Sequence, residues 1–162
     1  MKKFLILFSI AVVAVFAAVS CHDSDTKLVV RNMQKSDCKV TQSDAPLQMR
    51  VNSLLAEPEY ITLTAMDNGY MKIFHENAIY GCDCEKVQYG VLINDKQILL
   101  TEDPGESFAN CLCTIDCSCE IGQLEEGDYT LTVVNRDGEK IISFAFVYTA
   151  NLKMVVPVNE VK

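Results

Sequence analysis

The 162-residue chain has no tryptophan, four prolines, two histidines and a net charge of −8. The missing indole removes the strongest stacking platform for sugars, although six tyrosines keep a glycan ligand open. The acidic balance repels phosphate backbones, so the sequence-independent attraction that nucleic-acid binding rests on is missing, and no nucleic-acid partner is expected. Neither a phosphate-cradling glycine loop nor a G-x-S-x-G nucleophile turn occurs. There is no internal repeat and no low-complexity tract. Beyond the first 20 residues, no apolar run is long enough to span a bilayer and no helical periodicity exceeds two turns.

One long apolar run does occur, at the very start. Lys2 and Lys3 precede Phe4–Val19, which is interrupted only by Ser9 and ends at Ser20-Cys21. Positive charge, apolar stretch and then small residues is the order of a secretory signal. The run is short for a spanning helix, which needs about 20 apolar residues, and acidic Asp23 and Asp25 follow it. Ala18-Val19-Ser20-Cys21 resembles the lipobox of bacterial lipoproteins. Residues 1–20 are therefore read as a signal peptide that is removed, and Cys21 as the lipidation site that anchors the protein to a membrane. Several buried acyl chains, at about 0.8 kcal/mol per CH₂, make such an anchor stable. Losing the leader also removes two lysines and no acid, so the mature chain is more acidic still.

Residues 21–46 are rich in Ser, Asp, Lys, Thr and Gln and read as an acylated, flexible tether. Residues 47–162 read as a single domain. Leu47–Ser53 alternates apolar and polar residues with period two, and Tyr60–Thr64 is β-branched and aromatic. Asp67-Asn68-Gly69 is a turn leading to a partner strand at Tyr70–Phe74. Val87–Ile93 and Gln97–Thr101 make a hairpin about Asn94-Asp95. Asp128–Asn135 and Lys140–Tyr148 flank the turn Arg136-Asp137-Gly138. These short strands and turns predict an all-β fold, an Ig-like antiparallel β-sandwich. Gly127-Asp128-Tyr129 opens its strand as a tyrosine corner would.

Besides Cys21 there are seven cysteines, six of them in three C-x-C pairs. On one extended strand over 111–121, Cys111, Cys113, Ile115, Cys117, Cys119 and Ile121 share a face, and the other face is mostly polar. The cysteine face is thus expected to be buried. Three readings stay open. The thiols are small core side chains, or they form disulfides in an exported compartment, or Cys82, Cys84, Cys111 and Cys113 clasp a soft metal. Residues at i and i+2 of a strand lie about 6.5–7 Å apart, at or past the bridging limit. Disulfide partners should therefore lie across strands, Cys82 or Cys84 with one of Cys111, Cys113, Cys117 or Cys119. Seven is odd, and Cys38 is the expected free thiol.

The middle of the chain resembles a family of small uncharacterised lipoproteins of Bacteroidetes-type bacteria. The matching segments are His75-Glu76-Asn77-Ala78-Ile79-Tyr80-Gly81-Cys82, Ile98–Glu102, Cys111-Leu112-Cys113-Thr114-Ile115-Asp116 and Ile121–Leu131, and the resemblance as a whole extends over about residues 70–134. The resemblance implies a role for Cys82, Cys111 and Cys113, and it implies no activity. In such bacteria an acidic stretch after the lipidated cysteine can direct a lipoprotein to the cell surface, so Asp23 and Asp25 suggest that address.

Candidate catalytic groups reduce to a bland expectation. A cysteine nucleophile needs a positioned histidine, yet on an extended segment His75 and Cys82 fall on opposite faces. His75 and Asn77 are expected to cap a strand end, and His22 to be inert. Glu102, Asp103, Glu106, Glu125, Glu126 and Asp128 lack EF-hand spacing and are expected to be solvated. The expectation is a non-enzymatic, cofactor-free binding or structural module of the cell envelope, exported and anchored at the outer membrane through Cys21. Its ligand would be a protein or a glycan. A thiolate metal-binding or redox protein built on the C-x-C pairs is the alternative.

Overall fold

A computed structural model describes residues 28–42 and 58–158. The signal peptide expected over 1–20, the lipidation site expected at Cys21 and the strand expected over 47–53 lie outside the described residues. The described residues form ten strands: β1 (Val29–Lys35), β2 (Val40–Gln42), β3 (Tyr60–Ala65), β4 (Met71–Gly81), β5 (Gln88–Asn94), β6 (Gln97–Asp103), β7 (Leu112–Gly122), β8 (Gly127–Asn135), β9 (Lys140–Tyr148) and β10 (Lys153–Pro157). They form an all-β sandwich. One sheet has the order β1-β7-β4-β3-β10, with β2 continuing the β1 edge along β7; the other has the order β5-β6-β8-β9.

The core follows from period-two alternation. Ile61, Leu63, Ile73 and Ile121 of the first sheet and Ile98, Leu100, Leu131, Val133 and Ile142 of the second are almost wholly buried in one cluster. Each such side chain contributes about 1.5–3 kcal/mol when removed from water. Tyr129, Leu131 and Val133 face inward as expected. Tyr129 Oη donates to the Glu125 carbonyl at 3.0 Å, the bond that defines a tyrosine corner.

Two features depart from expectation. Strands β6 and β8 pair in parallel, so the second sheet is mixed. Between them the chain crosses to the first sheet, builds β7 there and returns in its original direction, the long crossover that parallel pairing requires. The second departure is β1 and β2, which occupy much of the segment read as a tether. They pair with opposite halves of β7, Val29 against Gly122 and Gln42 against Leu112. An edge strand of this kind needs no buried face, since backbone pairing and surface contacts hold it. Arg31 Nε meets Glu120 Oε2 at 2.8 Å, and Lys39 Nζ meets Asp116 Oδ1 at 2.5 Å. Its polar composition therefore conceals it.

Candidate functional site

Strand β4 breaks its register with β7 between His75 and Ala78. Asn77 sits in this bulge with φ +59°, a left-handed conformation that asparagine tolerates better than most residues. Its amide donates to Asp116 Oδ1 at 3.1 Å and its Nδ2 to the Pro58 carbonyl at 2.7 Å. A bulge resets the parity of a strand. Met71, Ile73 and His75 face the core before it, and Ala78 does so after it. Tyr80 and Cys82 pack against the buried cluster that contains Ala78, so the bulge cancels the opposite-face argument that separated His75 from Cys82.

His75 is no strand-end cap. It is 1% exposed, between the sheets. Its Nδ1 bonds Glu102 Oε2, on β6 of the opposite sheet, at 2.8 Å, and its Nε2 bonds Glu59 Oε1 at 2.6 Å. Glu102 is likewise 1% exposed, which overturns its reading as a solvated acid. Tyr80 Oη donates to the same Glu102 oxygen at 2.9 Å. Glu102 Oε1 is buried without a hydrogen-bond partner. Cys117 lies directly opposite His75 in the β4–β7 register, and its Sγ, a His75 ring nitrogen and a Glu102 oxygen all lie within 4.8 Å of one another.

Burial alone would lower the His75 pKa. The Glu102 carboxylate and hydrogen bonds with Cys117, Glu102 and Glu59 outweigh it and hold the imidazole well above its ordinary value. Burial pushes the Cys117 thiol up, against an opposing pull from His75. Burial and the Glu102 charge likewise raise the Tyr80 hydroxyl. A cavity of about 450 Å³ opens beside the cluster, lined in part by Glu59, His75, Tyr80, Pro104 and Arg136.

The cysteines divide unevenly. Cys82 pairs with Cys111, across strand ends as expected, and Cys38 pairs with Cys113; both pairs have Cα atoms 5.6 Å apart. The expectation of a free Cys38 is thus corrected, because the β1–β2 edge carries it alongside β7. Cys84 is a half-buried free thiol, and Cys117 and Cys119 are buried free thiols. These three expected disulfide candidates are therefore unpaired. The quartet Cys82, Cys84, Cys111 and Cys113 offers only one thiol in this oxidised form. Two disulfides fit an oxidising, extracytoplasmic compartment. Among the described residues, no helix is long and apolar enough to cross a membrane.

The Cys82–Cys111 bridge fastens the C-terminal end of the loop 104–110 to the end of β4. Asp83 reaches into that loop. Its carboxylate accepts from Ser107 Oγ at 2.5 Å and from the Phe108 and Ala109 amides at 2.7 and 3.0 Å. The Ser107 and Phe108 hydrogen bonds, with a smaller one from Ala109, hold the Asp83 carboxyl below its ordinary range. Asp103 Oδ1 accepts from the Gly105 amide at 2.8 Å. A Cβ on Gly81 would collide with the Ser107 side chain, so glycine lets the loop lie down on the strand end. At its tip Phe108 is 87% exposed. Compared with family models, curated proteins and solved structures, the chain matches none.

Proposed function

We propose that this chain is a lipid-anchored envelope protein that binds a partner through the loop 104–110 and performs no chemistry of its own. The observation carrying this reading is Phe108, the most exposed large apolar side chain among the described residues, on a loop clamped by a disulfide and three hydrogen bonds to one carboxylate. A large apolar side chain held out in water by a pre-ordered loop loses little entropy on docking, which is how rigid aromatic anchors come to dominate an interface.

The placement of the chain supports the same reading. Leu28 precedes Val29, which pairs with Gly122 at one end of β7, whereas the loop leads into Leu112 at the other end. An eleven-residue strand spans about 34 Å. Only residues 22–27 separate a lipid on Cys21 from Leu28, so the anchor would hold the near end of the sandwich at the membrane and direct Phe108 away from it. Resemblance to small envelope lipoproteins and the signal-like first 20 residues support the outer membrane as the address, with Asp23 and Asp25 favouring its outer surface.

An enzymatic reading of His75 has less support. Both ring nitrogens are engaged by carboxylates that hold the imidazole pKa above its ordinary value, and burial pushes the adjacent thiol's pKa up, away from its nucleophilic form.

Two experiments test the proposal. Mass spectrometry of the mature amino terminus should find a diacylglycerol-modified Cys21; an unmodified residue there overturns the anchor. A photo-crosslinking side chain at position 108, in cells, should capture one discrete species, while the same group at exposed Val147 captures none. Equal capture at both positions, or none at 108, overturns the loop as the binding element.

A further inference from the structure

The cluster under the cavity is independent of the loop, and its donor atoms suit a metal ion. We propose that His75 Nδ1, the Glu102 carboxylate and Cys117 Sγ form a Zn²⁺ site between the two sheets, with Glu59 orienting the imidazole from its far side. Three observations carry it. The first is convergence: a ring nitrogen, a carboxylate oxygen and a sulfur from three different strands already lie within 4.8 Å of one another. Zinc draws such donors to about 2.0–2.3 Å from itself, a closure that small side-chain rotations supply. His75 and Cys117 are cross-strand partners, so their Cβ atoms are held about 4.5–5.5 Å apart by the sheet itself.

The second is the unpartnered Glu102 Oε1, buried in a residue 1% exposed. A buried oxygen without a partner is costly, and a bound cation satisfies it. The third is the arrangement behind the ring. A metal-ligating histidine characteristically donates its other N–H to a carboxylate, which fixes the tautomer and raises its basicity. His75 Nε2 does so to Glu59 Oε1 at 2.6 Å. Tyr80 Oη, on Glu102 Oε2 at 2.9 Å, orients the carboxylate in the same way.

The donor set selects the ion. One thiolate with one imidazole suits a borderline cation, whereas Ca²⁺ takes six to eight oxygens and Cu(I) avoids carboxylates. On binding, the ion replaces the proton between Nδ1 and Glu102 and the proton on Cys117; both leave to solvent, and the 2+ charge compensates the carboxylate and the thiolate. The cavity lined by Glu59 and His75 gives the ion a way in. This site shares no residue with the C-x-C quartet Cys82, Cys84, Cys111 and Cys113, three of whose sulfurs are in disulfides.

The test uses the full-length protein with its disulfides intact. Titration with Co²⁺ should give one ion per chain and a thiolate-to-cobalt charge-transfer band that Zn²⁺ displaces. Cys117→Ser should lose the band, while Cys84→Ser and Cys119→Ser keep it. Glu59→Gln should weaken binding about 10–100-fold with an unchanged spectrum. X-ray absorption of the zinc-loaded, unsubstituted protein does not depend on any variant folding. It should show one sulfur at about 2.3 Å and nitrogen or oxygen neighbours at about 2.0 Å. Failure of the native protein to bind either ion saturably, a shell of oxygen and nitrogen alone, or two or more sulfurs would each overturn the site. So would a band that survives in Cys117→Ser.

Discussion

His75 on one sheet and Glu102 on the other meet at 2.8 Å across the interior of the sandwich. The contact ties the two layers together at the end where β6 finishes, and it charges a place that an all-apolar core would leave neutral. Removing one member of such a pair leaves the other buried and under-compensated. Glu102→Leu should therefore cost about 3–5 kcal/mol in chemical denaturation, whereas exposed Glu125→Leu should stay within about 0.5 kcal/mol. Similar costs for the two would show that burial of the pair is not what matters at Glu102.

The loop carrying Phe108 should respond to acid through Asp83. Its carboxyl is held below the ordinary value when folded, so the clamp is complete above the unfolded carboxylate pKa of about 3.9. It is lost as the pH falls through the lower folded value. The Phe108 and Ala109 amide resonances, followed by NMR, should stay put down to about pH 4 and shift only below it. A transition centred above that point contradicts the clamp. Asp83→Asn should speed hydrogen exchange at both amides while the global unfolding transition hardly moves.

Thiol counting checks the pairing. Unfolded but unreduced protein should present Cys84, Cys117 and Cys119 to a thiol reagent, and reduction should release Cys38, Cys82, Cys111 and Cys113. An acylated Cys21 adds nothing to either count. The double variant Cys82→Ser/Cys111→Ser should lose about 2–5 kcal/mol and also release the loop, seen as faster exchange at Phe108. If Cys84 replaces Cys82 in the bridge on peptide mapping, the register at the end of β4 is wrong.

Tyr129→Phe removes only a hydroxyl. That hydroxyl donates to the Glu125 carbonyl and accepts from Lys96 Nζ at 3.1 Å. A loss of about 1 kcal/mol is expected, measured by denaturation, with no change in core packing because the ring stays stacked on Phe146. A neutral substitution would mean the corner hydrogen bond carries no stability.

Much of the sandwich is legible in the chain because strands buried on one face must alternate. Leu131 and Val133 against Thr130 and Thr132, and Ile142 and Phe146 against Ser143 and Ala145, announce both the strands and their inner faces. The shared face of Cys113, Ile115, Cys117 and Cys119 is legible for the same reason, and those four residues are buried. Strands β1 and β2 escape because an edge held by backbone pairing and ion pairs has no need of that pattern. Unbroken alternation puts His75 and Cys82 on opposite faces, which the bulge between His75 and Ala78 reverses. A cue was present, since Met71, Ile73 and His75 step by two and Ala78 follows by three, with the turn-tolerant Asn77 between them. Only the bulge shows that the step is real.

By itself, then, the sequence determined what short-range chemistry can determine: period-two strands, turns at Asp67-Asn68-Gly69 and Arg136-Asp137-Gly138, and a buried cysteine face. Its resemblance to an exported lipoprotein leader remains a sequence-level statement about residues outside the described structure. Tertiary structure alone decided which of Cys38, Cys82, Cys111 and Cys113 pair, that Asp83 clamps a loop more than twenty residues away, and that His75, Glu102 and Cys117 converge. Those relationships join residues far apart in the chain. They depend on strand order, register and one bulge, which no local window of sequence contains.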